Sequence, residues 1–140
     1  MRTDSATALP GIETEPGAFL TCARRVLRGD VGPAVRSGHA RIQDEASQLV
    51  AEIASAAAPH AERALDTCAA PGGKTAILAE RLPRAEITAM DISRKRLQAL
   101  VQRPDLQQAE SGGRLRLRAD DATAMQLQPT YGLIDRKSVV

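Results

Sequence analysis

The chemistry legible in this chain lies in a few carboxylates and one glycine pair. The run Leu65-Asp66-Thr67-Cys68-Ala69-Ala70-Pro71-Gly72-Gly73-Lys74-Thr75 ends a short apolar stretch in an acid, turns through Pro-Gly-Gly and opens an Ile/Leu/Ala segment at a lysine. That order predicts a strand, a tight loop and a helix N-terminus. The first amides of a helix have no intrahelical partner, and its dipole favours negative charge, so α/β folds bind the charged part of a ligand there. Further acids stand downstream: Asp91 closes the next apolar segment, twenty-five positions after Asp66, and Asp120-Asp121 follows the one after that.

Three nucleotide-type ligands compete for this loop. A phosphate-binding loop needs G-x-x-x-x-G-K-[ST]; Gly73-Lys74-Thr75 fits its end, but the first glycine falls on Cys68. The dinucleotide fingerprint G-x-G-x-x-G is absent. The third ligand is S-adenosyl-L-methionine, whose reactive half carries an ammonium, a carboxylate and a sulfonium but no phosphate. It calls for an acid at the strand end and free amides at a helix start, which Asp66, Gly72, Gly73 and the Lys74 helix start offer, with glycines so that no Cβ holds the backbone away. Asp91, at the tip of the second strand, is placed to accept two ribose hydroxyls. Asp120 or Asp121 could meet an adenine amino group. Each acid taken singly reads as a helix cap or turn residue; three successive strand ends carrying them favour a nucleoside site.

The elements that must position these groups follow from periodicity. Ile42, Ala46, Leu49, Val50, Ile53, Ala54 and Ala57 recur at helical spacing, with Asp44 as N-cap and Pro59 beyond the end, predicting a helix with those residues inward. Ala64–Thr67 reads as a strand, Lys74–Leu82 as a helix, Glu86–Met90 as a second strand, and a helix begins at Ser93 and ends at Pro104. In Arg114-Leu115-Arg116-Leu117-Arg118-Ala119 polar and apolar residues alternate, predicting an edge strand with one buried face. Tyr131–Ile134 is a fourth strand. Strands separated by helices give a mostly parallel sheet with right-handed crossovers. Residues 1–40 read as a polar tail and a Gly/Pro-rich connecting segment with at most one short element; no internal repeat is evident.

Composition narrows the classes. The 140 residues, 43% hydrophobic and 26% charged, make one globular domain at most, with no apolar run long enough to span a membrane and no signal peptide, so the expected location is cytoplasmic. Two cysteines, Cys22 and Cys68, form neither a disulfide framework nor a metal pattern, and His39 and His60 stand alone. No metal is expected. The net charge of +2 does not by itself argue nucleic-acid binding, although sixteen of the nineteen basic residues are Arg, whose planar fork suits phosphate. With one Phe and one Tyr, the chain offers no base-stacking platform.

The loop Asp66-Thr67-Cys68-Ala69-Ala70-Pro71-Gly72-Gly73-Lys74-Thr75 resembles the cofactor loop of the Sun/Fmu family of RNA cytosine-5 methyltransferases. Ile42-Gln43-Asp44-Glu45-Ala46-Ser47-Gln48-Leu49-Val50 is similar to that family's helix before the first strand, and Ala89-Met90-Asp91-Ile92-Ser93 with Arg96-Leu97 to its second motif. The resemblance spans residues 10 to 134. It implies a Rossmann-like methyltransferase fold and S-adenosyl-L-methionine-dependent methylation of cytosine C5 in RNA, ribosomal RNA in bacterial members. Carried over by position, Cys68, Ala69, Ala70, Pro71, Gly72, Gly73 and Lys74 would bind the methionyl part, Asp91 the ribose and Asp121 the region of the adenine. Asp121 is preferred to Asp120 because a small residue, Ala122, follows it directly.

The same resemblance places the family's catalytic cysteines beyond the fourth strand, where Asp-Ala-Pro-Cys is expected after Ile134; this chain reads Asp135-Arg136-Lys137-Ser138-Val139-Val140. Cys68 lies in the cofactor loop and Cys22 in the connecting segment, so no catalytic residue is assigned. The expectation is a fragment: residues 41–134 forming the amino-terminal half of a methyltransferase domain truncated after about its fourth strand, 135–140 a non-matching tail, the chain inactive and marginally stable alone, and the full-length protein a monomer. A methyltransferase-like domain with a non-RNA substrate and a non-catalytic nucleotide- or RNA-binding module stay open as alternatives.

Overall fold

A computed structural model describes residues 1–3, 9–124 and 130–135. The chain divides into two compact units, residues 1–50 and 51–140.

The first unit is built from short elements: β1 (Arg2–Thr3), β2 (Glu13–Pro16), β3 (Arg24–Arg28), α1 (Gly32–Arg36) and β4 (Ala40–Arg41). β2 and β3 form an antiparallel hairpin, and β1 pairs antiparallel with β4. This corrects the expectation of at most one short element before residue 40. Strand propensity could not announce the hairpin, because Glu-Thr-Glu-Pro carries charges and a proline; cross-strand pairing such as Arg25 with Glu15, a 2.5 Å ion pair, holds it instead. The turn between the strands is pinned by Glu45, whose carboxylate accepts the amides of Ala18 (2.9 Å), Phe19 (2.8 Å) and Leu20 (2.9 Å).

The next helix, α2 (Glu45–Ala57), starts as expected: Asp44 accepts the Ser47 amide at 3.0 Å, an N-cap bond. Its buried stripe is not the expected one. Gln48, Ala51 and Ser55 are buried, whereas Ile42, Val50 and Ile53 are 65%, 49% and 60% exposed. Gln48, Ala51 and Ser55, at i, i+3 and i+7, make a second face, on which the small Ala51 and Ser55 let the helix pack closely; periodicity marks an apolar stripe without saying which of two stripes turns inward.

The second unit follows the expected alternation: β5 (Arg63–Asp66), α3 (Gly73–Arg81), β6 (Glu86–Asp91), α4 (Arg94–Val101), a 3₁₀ turn at Pro104–Leu106, α5 (Gln107–Ser111), β7 (Leu115–Ala119) and β8 (Leu133–Asp135). Pro104 ends α4 as expected, but the chain continues in helical turns. The four strands make one parallel sheet in the order β7-β6-β5-β8. One core cluster gathers on one face, where Ala64, Ile87, Ala89 and Leu115 meet Leu78, Ala79 and Leu82 of α3, Leu97 and Leu100 of α4, and then Leu106 and Ala109; the alternate residues Leu65 and Met90, on the other face, are buried as well. β7 lies at the edge, as its alternation predicted, yet only Leu115 is buried; Leu117 is 40% exposed, past the end of that cluster. Among the described residues β8 is the other edge, and Asp135, assigned to the tail on sequence, is its last residue. Residues 136–140 fall outside the described residues. No helix among the described residues is long and apolar enough to cross a membrane.

Candidate cofactor site

The strand order fixes where a ligand can sit. From β5 the chain steps outward to β6 and β7, then returns to place β8 on the opposite side of β5. Such a reversal of strand order is a switch point, and open α/β sheets bind ligands in the crevice outside the carboxyl ends of their strands there. The loop 67–72 lies there.

Backbone bonds tie that loop to three strands. Thr67 donates from its amide (2.9 Å) and its hydroxyl (3.1 Å) to the carbonyl of Asp135 at the end of β8. The Ala69 amide donates to the Met90 carbonyl at 2.8 Å, and the Ala70 amide to Asp91 Oδ2 at 3.3 Å, both on β6. Cys68 donates its amide to Asp66 Oδ1 at 3.2 Å, and Thr75 in the first turn of α3 donates its hydroxyl to Asp66 Oδ2 at 2.7 Å. Gly72, the N-cap of α3, has no side chain to accept an amide of that helix.

Asp66 therefore does something other than expected. It is completely buried and its two oxygens serve the loop itself, so it is a staple and not an acid open to a ligand's ammonium. Burial raises its carboxyl above the ordinary value; Lys74 and the Thr75 hydroxyl oppose that rise and Asp135 adds to it. Burial raises Asp135 likewise, against the pull of Lys74. The Lys74 ammonium, 11% exposed, stands 3.8 Å from Asp135 Oδ2, a buried oxygen that accepts no hydrogen bond. Gly72 is also needed for a reason the sequence did not show. Its φ is +101°, and a Cβ there would lie 2.9 Å from Arg103 Cδ and 3.0 Å from Leu100 Cγ, so the missing side chain makes room for protein and not for a ligand.

The other candidate acids lie at the carboxyl ends of β6 and β7. Asp91 is buried; its Oδ1 accepts from the Ser93 amide (2.9 Å) and from Arg96 (2.7 Å). Asp120 donates its amide to the Asp91 carbonyl at 3.3 Å, which joins the ends of β6 and β7, and its side chain pairs with Arg118 at 2.6 Å. Asp121 accepts from the amide (2.8 Å) and hydroxyl (2.7 Å) of Thr123 through Oδ1, which holds its carboxyl below the ordinary range. The structure thus joins Cys68 to the end of β5, and Ala69 and Ala70 directly to the end of β6. Sequence reasoning placed Thr75 in the loop run without its bond to Asp66 and missed Arg103, Asp105 and Asp135 as parts of this region; of these three only Asp135 carried a signal, as the acid ending a short apolar run. No cluster of metal-ligating side chains occurs among the described residues.

Comparison with known proteins shows the family. The family model described as 16S rRNA methyltransferase RsmB/F matches residues 54–136. The chain belongs to this family. The resemblance to Sun/Fmu proteins drawn from the loop is borne out. Ribosomal RNA small subunit methyltransferase B of Xylella fastidiosa is 40% identical over 101 residues, covering 68% of this chain and 23% of the relative. The probable protein of that name in Bacillus subtilis is 34% identical over 101 residues, covering 70% and 22%. The chain thus spans less than a quarter of the length of these relatives. Two solved structures share the fold: PH0851, with a TM-score of 0.68 at 21% identity over 88% of this chain and 30% of that one, and NSun6 from Pyrococcus horikoshii with SFG, with a TM-score of 0.58 at 23% identity over 84% and 32%. The fold is Rossmann-like, as expected.

Proposed function

We propose that these residues form the cofactor-binding part of an S-adenosyl-L-methionine-dependent methyltransferase whose full-length form methylates cytosine C5 in small-subunit ribosomal RNA. The observation that carries the reading is the stapled loop 67–72 at the switch point of the sheet, in a chain of the RsmB/F family. The residues present fit the cofactor. The buried Asp135 Oδ2 is an acceptor without a donor, and the first turn of α3 has no side-chain cap, so the crevice offers both an acceptor and amide donors to an amino-acid-like ligand. Cys68 to Lys74 would hold the methionyl part, Asp91 the ribose and Asp121 the adenine region. When bound, S-adenosyl-L-methionine supplies an electrophilic methyl group.

Cytosine C5 becomes nucleophilic only after a thiolate has added to C6, which is covalent catalysis by an activated cysteine. Neither cysteine of these 140 residues suits that step. Cys68 is half-buried in the cofactor loop, where its amide is bonded to Asp66, and Cys22 lies in the first unit with its sulfur 2.9 Å from Arg2. The covalent step therefore calls for a thiol supplied from outside the 140 residues, and this chain binds cofactor without transferring methyl groups.

Calorimetric titration of the chain with S-adenosyl-L-methionine tests the reading, beside Gly72→Val and Cys68→Ser. Saturable binding is expected in the parent. It should be lost in Gly72→Val and retained within about threefold in Cys68→Ser, since a serine keeps the backbone bonds. Equal heats from parent and Gly72→Val would count against the site, and methylation of an RNA transcript by the chain alone would overturn its inactivity.

A further inference from the structure

We propose that Arg103, held in a fork by Asp105, is a positioning residue that fixes the cofactor loop from outside the sheet. This rests on the cofactor reading of that loop. Arg103 follows α4 and stands more than thirty positions from the loop in sequence, yet its Nη1 donates to the Pro71 carbonyl at 3.1 Å. Its other edge is committed to Asp105: Nε to Oδ1 at 3.0 Å and Nη2 to Oδ2 at 2.9 Å. The side chains are 25% and 13% exposed, so the pair is partly withdrawn from water.

The geometry suits arginine and no other residue. A guanidinium presents two donor edges in one plane, so it can bind a carboxylate bidentately and still direct a further N–H elsewhere; an ammonium has no such fixed edges. Asp105 sets the plane of the guanidinium, and the plane sets where the remaining N–H points. The aliphatic stem completes the arrangement. Arg103 Cδ closes over Gly72 at the distance where a Cβ would collide, so the loop is gripped at the Pro71 carbonyl and packed at Gly72. The remaining ties come from β5, β6 and β8, and each engages Thr67 to Ala70; Arg103 acts on Pro71 and Gly72, immediately before the amides that open α3.

Hydrogen exchange of the ligand-free 140-residue chain, read at the amides of residues 68–75, tests the clamp independently of the cofactor. Arg103→Met should speed exchange there by about tenfold, the loss of one charge-assisted hydrogen bond, with no larger change at the amides of β6. Arg103→Lys should recover part of the protection. Should Arg103→Met fail to fold, Asp105→Asn, which keeps the volume and removes the charge of the fork, carries the same expectation. Unchanged loop exchange in a folded variant overturns the proposal.

The second arm compares S-adenosyl-L-methionine with 5′-methylthioadenosine, which lacks the amino-acid part. Arg103→Met should weaken the first by about tenfold and leave the second unchanged. Equal weakening of both would show a general structural role and overturn positioning. A parent chain that binds neither ligand but loses loop protection in Arg103→Met would sink the cofactor reading and leave the clamp standing.

Discussion

Thr75 and Asp66 are joined by a 2.7 Å hydrogen bond, and neither side chain is exposed. One ends β5 and the other sits in the first turn of α3, so this bond fixes the span that the loop between them must bridge. The loop's conformation is set from beneath by a buried acid and a buried hydroxyl.

Replacing the hydroxyl tests that relationship. Thr75→Val keeps the shape and deletes the donor, leaving a buried carboxylate oxygen short of a partner. It should destabilise the chain by about 1–3 kcal/mol, measured by urea unfolding. A variant as stable as the parent would show that the bond is dispensable.

The raised carboxyl of Asp66 makes a signed prediction about pH. Its folded value lies above its ordinary 3.8, so the folded chain keeps a proton that the unfolded chain releases. Stability from this group is full below 3.8, falls as pH rises through the raised folded value, and levels off above it. Asp120, Asp121 and Glu45 are shifted downward and contribute the opposite slope, so the parent alone mixes both. The parent's stability minus that of Asp66→Asn cancels them and should decline with rising pH across this window. A flat difference would show that Asp66 is not strained by burial.

In the first unit, Glu45 should govern the turn at residues 17–20. Its carboxyl is held below its ordinary value by the amides of Phe19, Ala18 and Leu20, so the bonds it accepts are present above that ordinary value and are lost as pH falls through the depressed one. Glu45→Ala should raise the exchange rates of those three amides, read by NMR, without affecting Ala64 or Leu65. Unaltered rates would mean that the turn holds itself.

Much of the second unit was legible in the chain. The strand, Pro-Gly-Gly turn and helix start at residues 65–75 carry strong local signals, and Ser93 and Asp44 cap their helices as their types predict. What escaped was set by partners distant in sequence. Arg103 grips Pro71 and Asp135 anchors Thr67 across 32 and 68 positions, and no local pattern records either. Asp66 carried a signal with two meanings: an acid at a strand end can face a ligand or staple its own loop, and its burial decides for the staple. The outward stripe on α2 and the uncovered Leu117 were misjudged for a related reason, since burial depends on what arrives to cover a face.

The return of the chain to β8 has a consequence for synthesis. Thr67 is anchored by the carbonyl of a residue 68 positions later, and the crevice beside β5 exists only once that late strand has docked. Closing so long a loop is slow compared with forming a local helix. On a ribosome, the glycine turn would emerge early but stay without its final shape, and the newborn polypeptide would gain its affinity for ligand in one late step.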